Sequence, residues 1–105
     1  MKEEDRQVVL EFSKRLTAIM PILELRVFGS RARGDATEES DLDVFIQVAE
    51  LDRAKREQIY DLAWEVGFEL DRVISTFVVT EAEVNNGAVG ASPLLFKVLS
   101  EGIAI

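Results

Sequence analysis

Between two β-rich runs, Leu42–Val48 and Leu70–Val79, lies a stretch from Asp52 to Gly67 that puts Ile59, Leu62, Ala63 and Val66 on one helical face, with Asp52 placed to cap it. A helical crossover returns the chain to the end of the sheet it left, so the two strands it joins run parallel. This segment alone forces an α/β unit. Upstream, Val8, Val9, Phe12, Leu16 and Ile19 recur at helical spacing until Pro21 stops the run. A strand follows over Leu23–Phe28, broken by Gly29, with Ser30 expected to cap a helical turn over Arg31–Arg33 and residues 34–40 forming a polar loop. So short a link permits an antiparallel pairing of the first two strands.

Downstream, Thr80-Glu81-Ala82-Glu83 is a capping-box pattern that opens a short helix. Residues 85–91 read as a loop. Ser92-Pro93 then starts a last helix through Leu99, with Gly102 just past its end. The expected fold is α/β (α+β): a small mixed sheet of three to four strands with helices mainly on one face, forming one domain over 1–105.

Composition narrows the chemistry. No segment of the 105 residues approaches the roughly 20 apolar residues of a membrane span, and Met1-Lys2-Glu3-Glu4-Asp5 is not the start of a secretory signal, so a cytoplasmic protein is expected. The chain has neither cysteine nor histidine. Disulfides, thiolate nucleophiles, zinc sites and imidazole bases are thereby excluded. What remains is carboxylates, hydroxyls, Arg, Lys, backbone amides and a hard metal ion. A net charge of −8 repels a phosphate backbone, which argues against nucleic acid as the main partner and leaves a metal-chelated nucleotide or a basic protein.

Asp41 and Asp43 flank Leu42 at the start of the second strand, so their side chains share one face while Leu42, Val44 and Ile46 point into the core. Two carboxylates about 7 Å apart repel by about 2 kcal/mol at an effective dielectric near 20. A divalent cation turns that repulsion into attraction, and Mg²⁺ favours a few carboxylates completed by phosphate oxygens and water. An antiparallel first strand brings Phe28-Gly29-Ser30 beside this pair. There Gly29 admits a ligand close to the backbone, Ser30 offers hydroxyl and amide, and Arg31 and Arg33 are candidates to clamp phosphate oxygens. On the third strand, read from Leu70, Asp71 and Glu69 lie two residues apart and so on one face. Either supplies a third carboxylate, completing a cradle for two ions.

Gly29-Ser30, ten residues, then Asp41-Leu42-Asp43 resembles the signature of the nucleotidyltransferase superfamily that includes DNA polymerase beta. The run Phe28-Gly29-Ser30-Arg31-Ala32-Arg33-Gly34-Asp35 is similar to its minimal nucleotidyltransferase (MNT) branch. The resemblance implies the palm-like nucleotidyltransferase fold, with Asp41, Asp43 and Asp71 as catalytic metal ligands, Glu69 as the alternative third. It implies two Mg²⁺ ions, or Mn²⁺, and a triphosphate on Gly29 and Ser30. It further implies transfer of a nucleoside monophosphate, AMP from ATP, to a protein hydroxyl by an antitoxin that pairs with a HEPN-type toxin, in a homo- or hetero-oligomer. The alternative is a weak or inactive module that neutralises its partner by contact. Asp71 departs from the pattern, being followed by Arg72.

Competing readings are poorer. Gly29-x-x-x-x-Gly34 has P-loop spacing, but Asp35-Ala36 stands where Lys and Ser/Thr are needed. Asp41-Leu42-Asp43 as a calcium loop would need glycine where Ile46 stands. Tyr60 and Trp64 are expected to pack rather than stack on a base, and the acidic N-terminal run to be a solvated first turn.

Overall fold

The chain runs α1 (Glu3–Ile19), β1 (Glu24–Phe28), α2 (Gly29–Arg33), β2 (Leu42–Val48), α3 (Arg53–Leu70), β3 (Ile74–Thr80), α4 (Glu81–Asn86), α5 (Pro93–Glu101) and a two-residue β4 (Ile103–Ala104). This computed structural model describes residues 1–87 and 92–105, so the end of the expected 85–91 loop lies outside the described residues. The strands form one mixed sheet in the order β3-β2-β1-β4. β2 and β3 run parallel across the α3 crossover, and β1 is antiparallel to β2 and to β4. The pairing is the one that the crossover pattern demands.

Local chemistry sets most boundaries. Asp52 accepts from the Lys55 amide at 2.7 Å, starting α3. Thr80 and Glu83 bond each other's backbone amides reciprocally, both at 3.1 Å, starting α4. Ser92 caps α5 ahead of Pro93. Each such cap contributes about 1 kcal/mol by satisfying an amide the helix cannot.

Alternation along β2 sends Leu42, Val44, Ile46 and Val48 into a core shared with Val9, Phe12 and Leu16 of α1 and Ile59, Ala63 and Val66 of α3. Both long helices thus cover one face, as expected. On the opposite face Phe28, Phe45 and Val79 pack against Leu95 and Val98 of α5.

α4 takes in Asn85 and Asn86 of the expected loop and α5 runs on to Glu101, small shifts at helix ends. Two further boundaries differ from the sequence reading, for identifiable reasons. Gly67 does not end α3; the helix continues through Leu70 and closes on Asp71, whose φ of 56° is left-handed. The chain then folds back so that the Arg72 carbonyl lies against Gly67, where any Cβ would collide with it, and the Arg72 amide donates to the Gly67 carbonyl at 2.9 Å. Glycine is required for close approach, not for termination. Consequently β3 begins at Ile74 instead of Leu70, and Glu69 and Asp71 leave the strand. Ser30, likewise, is no cap. It lies within α2, its carbonyl accepting from the amides of Gly34 and Asp35.

Candidate active site

β1 and β2 meet with Phe28 opposite Asp43, which sets the Gly29–Ser30 bend against the aspartate pair. Gly29 has a φ of +74°, and a Cβ there would run into Oδ2 of Asp43. Both facts exclude other side chains. Gly29→Ala is expected to cost about 1–3 kcal/mol from left-handed strain and the displaced carboxylate. Gly34 also has positive φ but faces open space, so Gly34→Asn carries the backbone strain without a collision and should cost no more than about 1 kcal/mol, asparagine tolerating this region best. Paired thermal melts check the contrast.

Asp43 is half-buried on the α5 face of the sheet, and Asp41 is exposed. Burial, then the like charge of Asp41, raise the Asp43 carboxyl above its ordinary range, while Arg33 pulls the other way. Among the described residues, neither carboxylate takes part in an ion pair. An unpaired, mutually repelling couple with one member half-buried fits a cation that supplies the missing charge.

The third carboxylate does not join them. Glu69 lies in α3 and accepts from Arg15 of α1 at 2.7 Å. Asp71 is the cap of α3, exposed, and shares with Asp41 only the lining of an open cleft. Among the described residues no three acidic side chains cluster as metal ligands. The parallel register instead pairs Asp43 with Ser75 on β3, so a hydroxyl stands on the carboxylate's face where a third acid would have to come from this strand. The donor set fits one ion held by two carboxylates; the three-acid cradle is not assembled.

The two arginines part company. Arg31, expected as a phosphate clamp, is only 6% exposed. Its guanidinium donates to both oxygens of Asp5 at 3.2 Å and to the carbonyls of Ser40, Thr37 and Glu38 at 2.8, 3.3 and 3.3 Å. With its donors so engaged it ties α2 and the Thr37–Ser40 segment to α1, fixing the approach to Asp41. Asp5, expected in a solvated turn, is 1% exposed and also accepts from Arg72 at 3.1 Å. Its place on the stripe of Val8, Val9, Phe12 and Leu16 was the available signal, since an acid on an apolar face needs a buried cation. Arg33 alone stays at the surface beside the site, held by Glu101 and Asp35, which raise its already high pKa. Surface pairs of this kind exchange cheaply, so Arg33 can turn to a phosphate.

Tyr60 and Trp64, expected to pack, are 58% and 62% exposed. They lie one turn apart, with the Trp64 indole N–H donating to the Tyr60 hydroxyl at 2.9 Å.

Known proteins resemble this chain in sequence and in fold. Residues 6–100 match the family model described as a nucleotidyltransferase domain. A Methanocaldococcus jannaschii protein, named as a candidate protein adenylyltransferase, is 39% identical over 75 residues, covering 69% of this chain and 76% of that one. A chain of a toxin–antitoxin crystal structure with AMP-PNP superposes with a TM-score of 0.65 at 22% identity, covering 98% of this chain and 72% of that one. A chain from the complex of tri-AMPylated Shewanella oneidensis HEPN toxin with MNT antitoxin does so at 0.61 and 20%, covering 95% and 70%. A candidate nucleotidyltransferase from Sulfolobus solfataricus gives 0.58 at 20%, covering 97% and 82%. Likeness at these identities establishes the common fold, while the family model and the archaeal relative establish more: the chain belongs to the nucleotidyltransferase domain family and is a nucleotidyltransferase.

Proposed function

We propose that the protein, acting as one domain over 1–105 in the cytoplasm, transfers AMP from Mg-ATP to a side-chain hydroxyl of a HEPN-type toxin and thereby serves as its antitoxin. The observation that carries this reading is the unpaired Asp41–Asp43 couple set against the Gly29–Ser30 bend. In the proposed reaction the acceptor oxygen attacks the α-phosphorus and forms a phosphodiester. The α–β anhydride breaks, pyrophosphate leaves with the bonding electrons, and the hydroxyl proton passes to solvent. Bound Mg²⁺, or Mn²⁺, would supply charge neutralisation at the phosphates, with Asp41 and Asp43 holding it. Gly29 and Ser30 hold the triphosphate, and Arg33 offers the nearby cation. Support for ATP and for a toxin acceptor comes from the archaeal relative's name and from fold neighbours crystallised with AMP-PNP or with an AMPylated toxin. The strongly acidic chain suits a basic protein partner.

A second reading, neutralisation by contact with little turnover, is favoured by one observation: Ser75, not a carboxylate, faces Asp43. One experiment separates the two. The purified HEPN-type toxin is incubated with labelled ATP, Mg²⁺ and each variant. Transfer requires label on the toxin that Asp41→Asn/Asp43→Asn removes. Contact neutralisation requires an unlabelled toxin that the double variant still silences.

Ser75→Asp tests the ion count. A carboxylate added on the face of Asp43 is expected to raise bound Mn²⁺, in the presence of nucleotide, from one ion per chain to two, read by isothermal titration. Transfer should rise about tenfold, the gain expected of about 1.4 kcal/mol of transition-state stabilisation. Unchanged stoichiometry would show that this position does not reach the ions.

A further inference from the structure

Resting on the reading of Asp41 and Asp43 as the transfer site, we infer that the exposed aromatic ladder of α3 is where the protein acceptor docks, and that its docking segment is lysine- or arginine-rich. Tyr60, Trp64 and Phe68 follow one another at four-residue intervals, so they form one stripe along the helix. All three are exposed, Phe68 at 83%, and Val73 beyond the helix end extends the apolar surface at 65%. A contiguous row of large aromatics left in water marks an interaction surface, and aromatic anchors contribute most of the binding energy at such surfaces.

Two observations say what covers it. The first is continuity: Tyr60, Trp64 and Phe68 line one open cleft of about 1260 Å³ together with Asp41 and Ser75, so a body seated on the ladder reaches Asp41, the outer member of the aspartate pair, without leaving the cleft. The second is charge. Glu4, Glu38, Glu39, Asp41 and Asp71 line the same cleft; of its cations, Arg31 and Arg72 are bonded to Asp5 and Arg72 also pairs with Glu4, leaving Lys2 against the other four acids. A second copy of this chain, at −8, would bring like charge to this rim, and so would an RNA. A basic polypeptide brings the opposite charge, long alkyl stems to lie on the rings, and cations for their faces.

Trp64 is the only tryptophan, so the face reports on itself. The intact protein is titrated with a lysine–tyrosine random copolymer, with a glutamate–tyrosine copolymer of equal length as control, and Trp64 emission is followed. The lysine copolymer is expected to shift the emission to the blue and the glutamate copolymer to leave it unchanged. Phe68→Ala should weaken binding at least tenfold. Phe96→Ala, which removes an equally exposed ring (74%) from α5, should not. Equal losses for the two variants, or no loss for either, would mean binding by charge alone and overturn the proposal. Concentration-dependent self-association in sedimentation that Phe68→Ala abolishes would overturn it in favour of a second copy. Affinity for a fluorescent ATP analogue with Mg²⁺, measured in parallel, should be unchanged in Phe68→Ala. If the unaltered protein binds no nucleotide while the ladder still selects the basic copolymer, the transfer reading fails and the docking face stands.

Discussion

Replacing Asp41 and Asp43 together by asparagine is expected to lower affinity for metal-chelated ATP at least a hundredfold and to leave the metal-free protein slightly more stable. The two effects have one cause. In the absence of a cation Asp43 is ionised against partial burial and the neighbouring charge of Asp41, and both raise its pKa. A folded-state pKa above the unfolded value means that the folded protein holds the Asp43 proton more tightly. The resulting penalty is absent below the ordinary carboxylate range, where both states are protonated, and grows as pH rises from that range through Asp43's raised value. Neutral asparagines remove it at pH 7. With solvent screening at the exposed Asp41, the gain is expected to be no more than about 1 kcal/mol, a rise in Tm of about 4–8 °C in a domain of this size. The same titration governs the ligand: protons compete with the ion, so Mn²⁺ affinity should fall as pH drops through the Asp43 range and be independent of pH well above it. Calorimetry at several pH values, with melts of both proteins, checks both signs. A site whose removal stabilises the fold is one that the fold retains for function.

The buried cluster behind the site should respond in the opposite sense. Asp5→Ala leaves Arg31 inside the protein without its anion, since among the described residues Asp5 is the one acid bonded to it. Breaking a buried pair from one side costs about 3–5 kcal/mol, because the surviving charge stays desolvated. At about 4–8 °C per kcal/mol the melting temperature should fall by well over about 10 °C. Arg72, freed from the same carboxylate but only partly buried, is expected to turn to solvent and contribute little. Removing both charges as Asp5→Leu/Arg31→Met should cost markedly less than Asp5→Ala, since apolar groups of similar size need no counter-charge. Because Arg31 also holds the carbonyls of Thr37, Glu38 and Ser40, the double variant is expected to recover stability more fully than nucleotide affinity. Denaturant melts with nucleotide titrations resolve the split. Equal stability losses in the single and double variants would contradict the ion-pair account.

Different parts of the molecule were readable from the sequence to different degrees, and the reasons are physical. The parallel β2–β3 pair follows from a helical period between two β-rich runs, and the shared face of Asp41 and Asp43 follows from a period of two; both are local properties. Caps such as Asp52, Thr80-Glu83 and Ser92-Pro93 are equally local. The third-carboxylate assignment rested on where a strand begins, and that was decided by packing. Arg72 folding over Gly67 carries α3 on to Asp71 and takes Asp71 and Glu69 out of β3. Arg31 shows the other limit. Its partner Asp5 is 26 residues away, so side-chain type and spacing around the bend could not distinguish a clamp from a buried strut. Tyr60 and Trp64 lie one helical step from the core stripe of Ile59, Ala63 and Val66, a rotation too small for periodicity to separate packed rings from exposed ones.

A crystal soaked with a non-hydrolysable ATP analogue and Mn²⁺ reads the metal and the nucleotide together. An anomalous peak between the carboxylates of Asp41 and Asp43, with the triphosphate lying over Gly29 and Ser30, is the predicted result. Analogue bound elsewhere on the surface, or manganese that leaves both aspartates untouched, would contradict it.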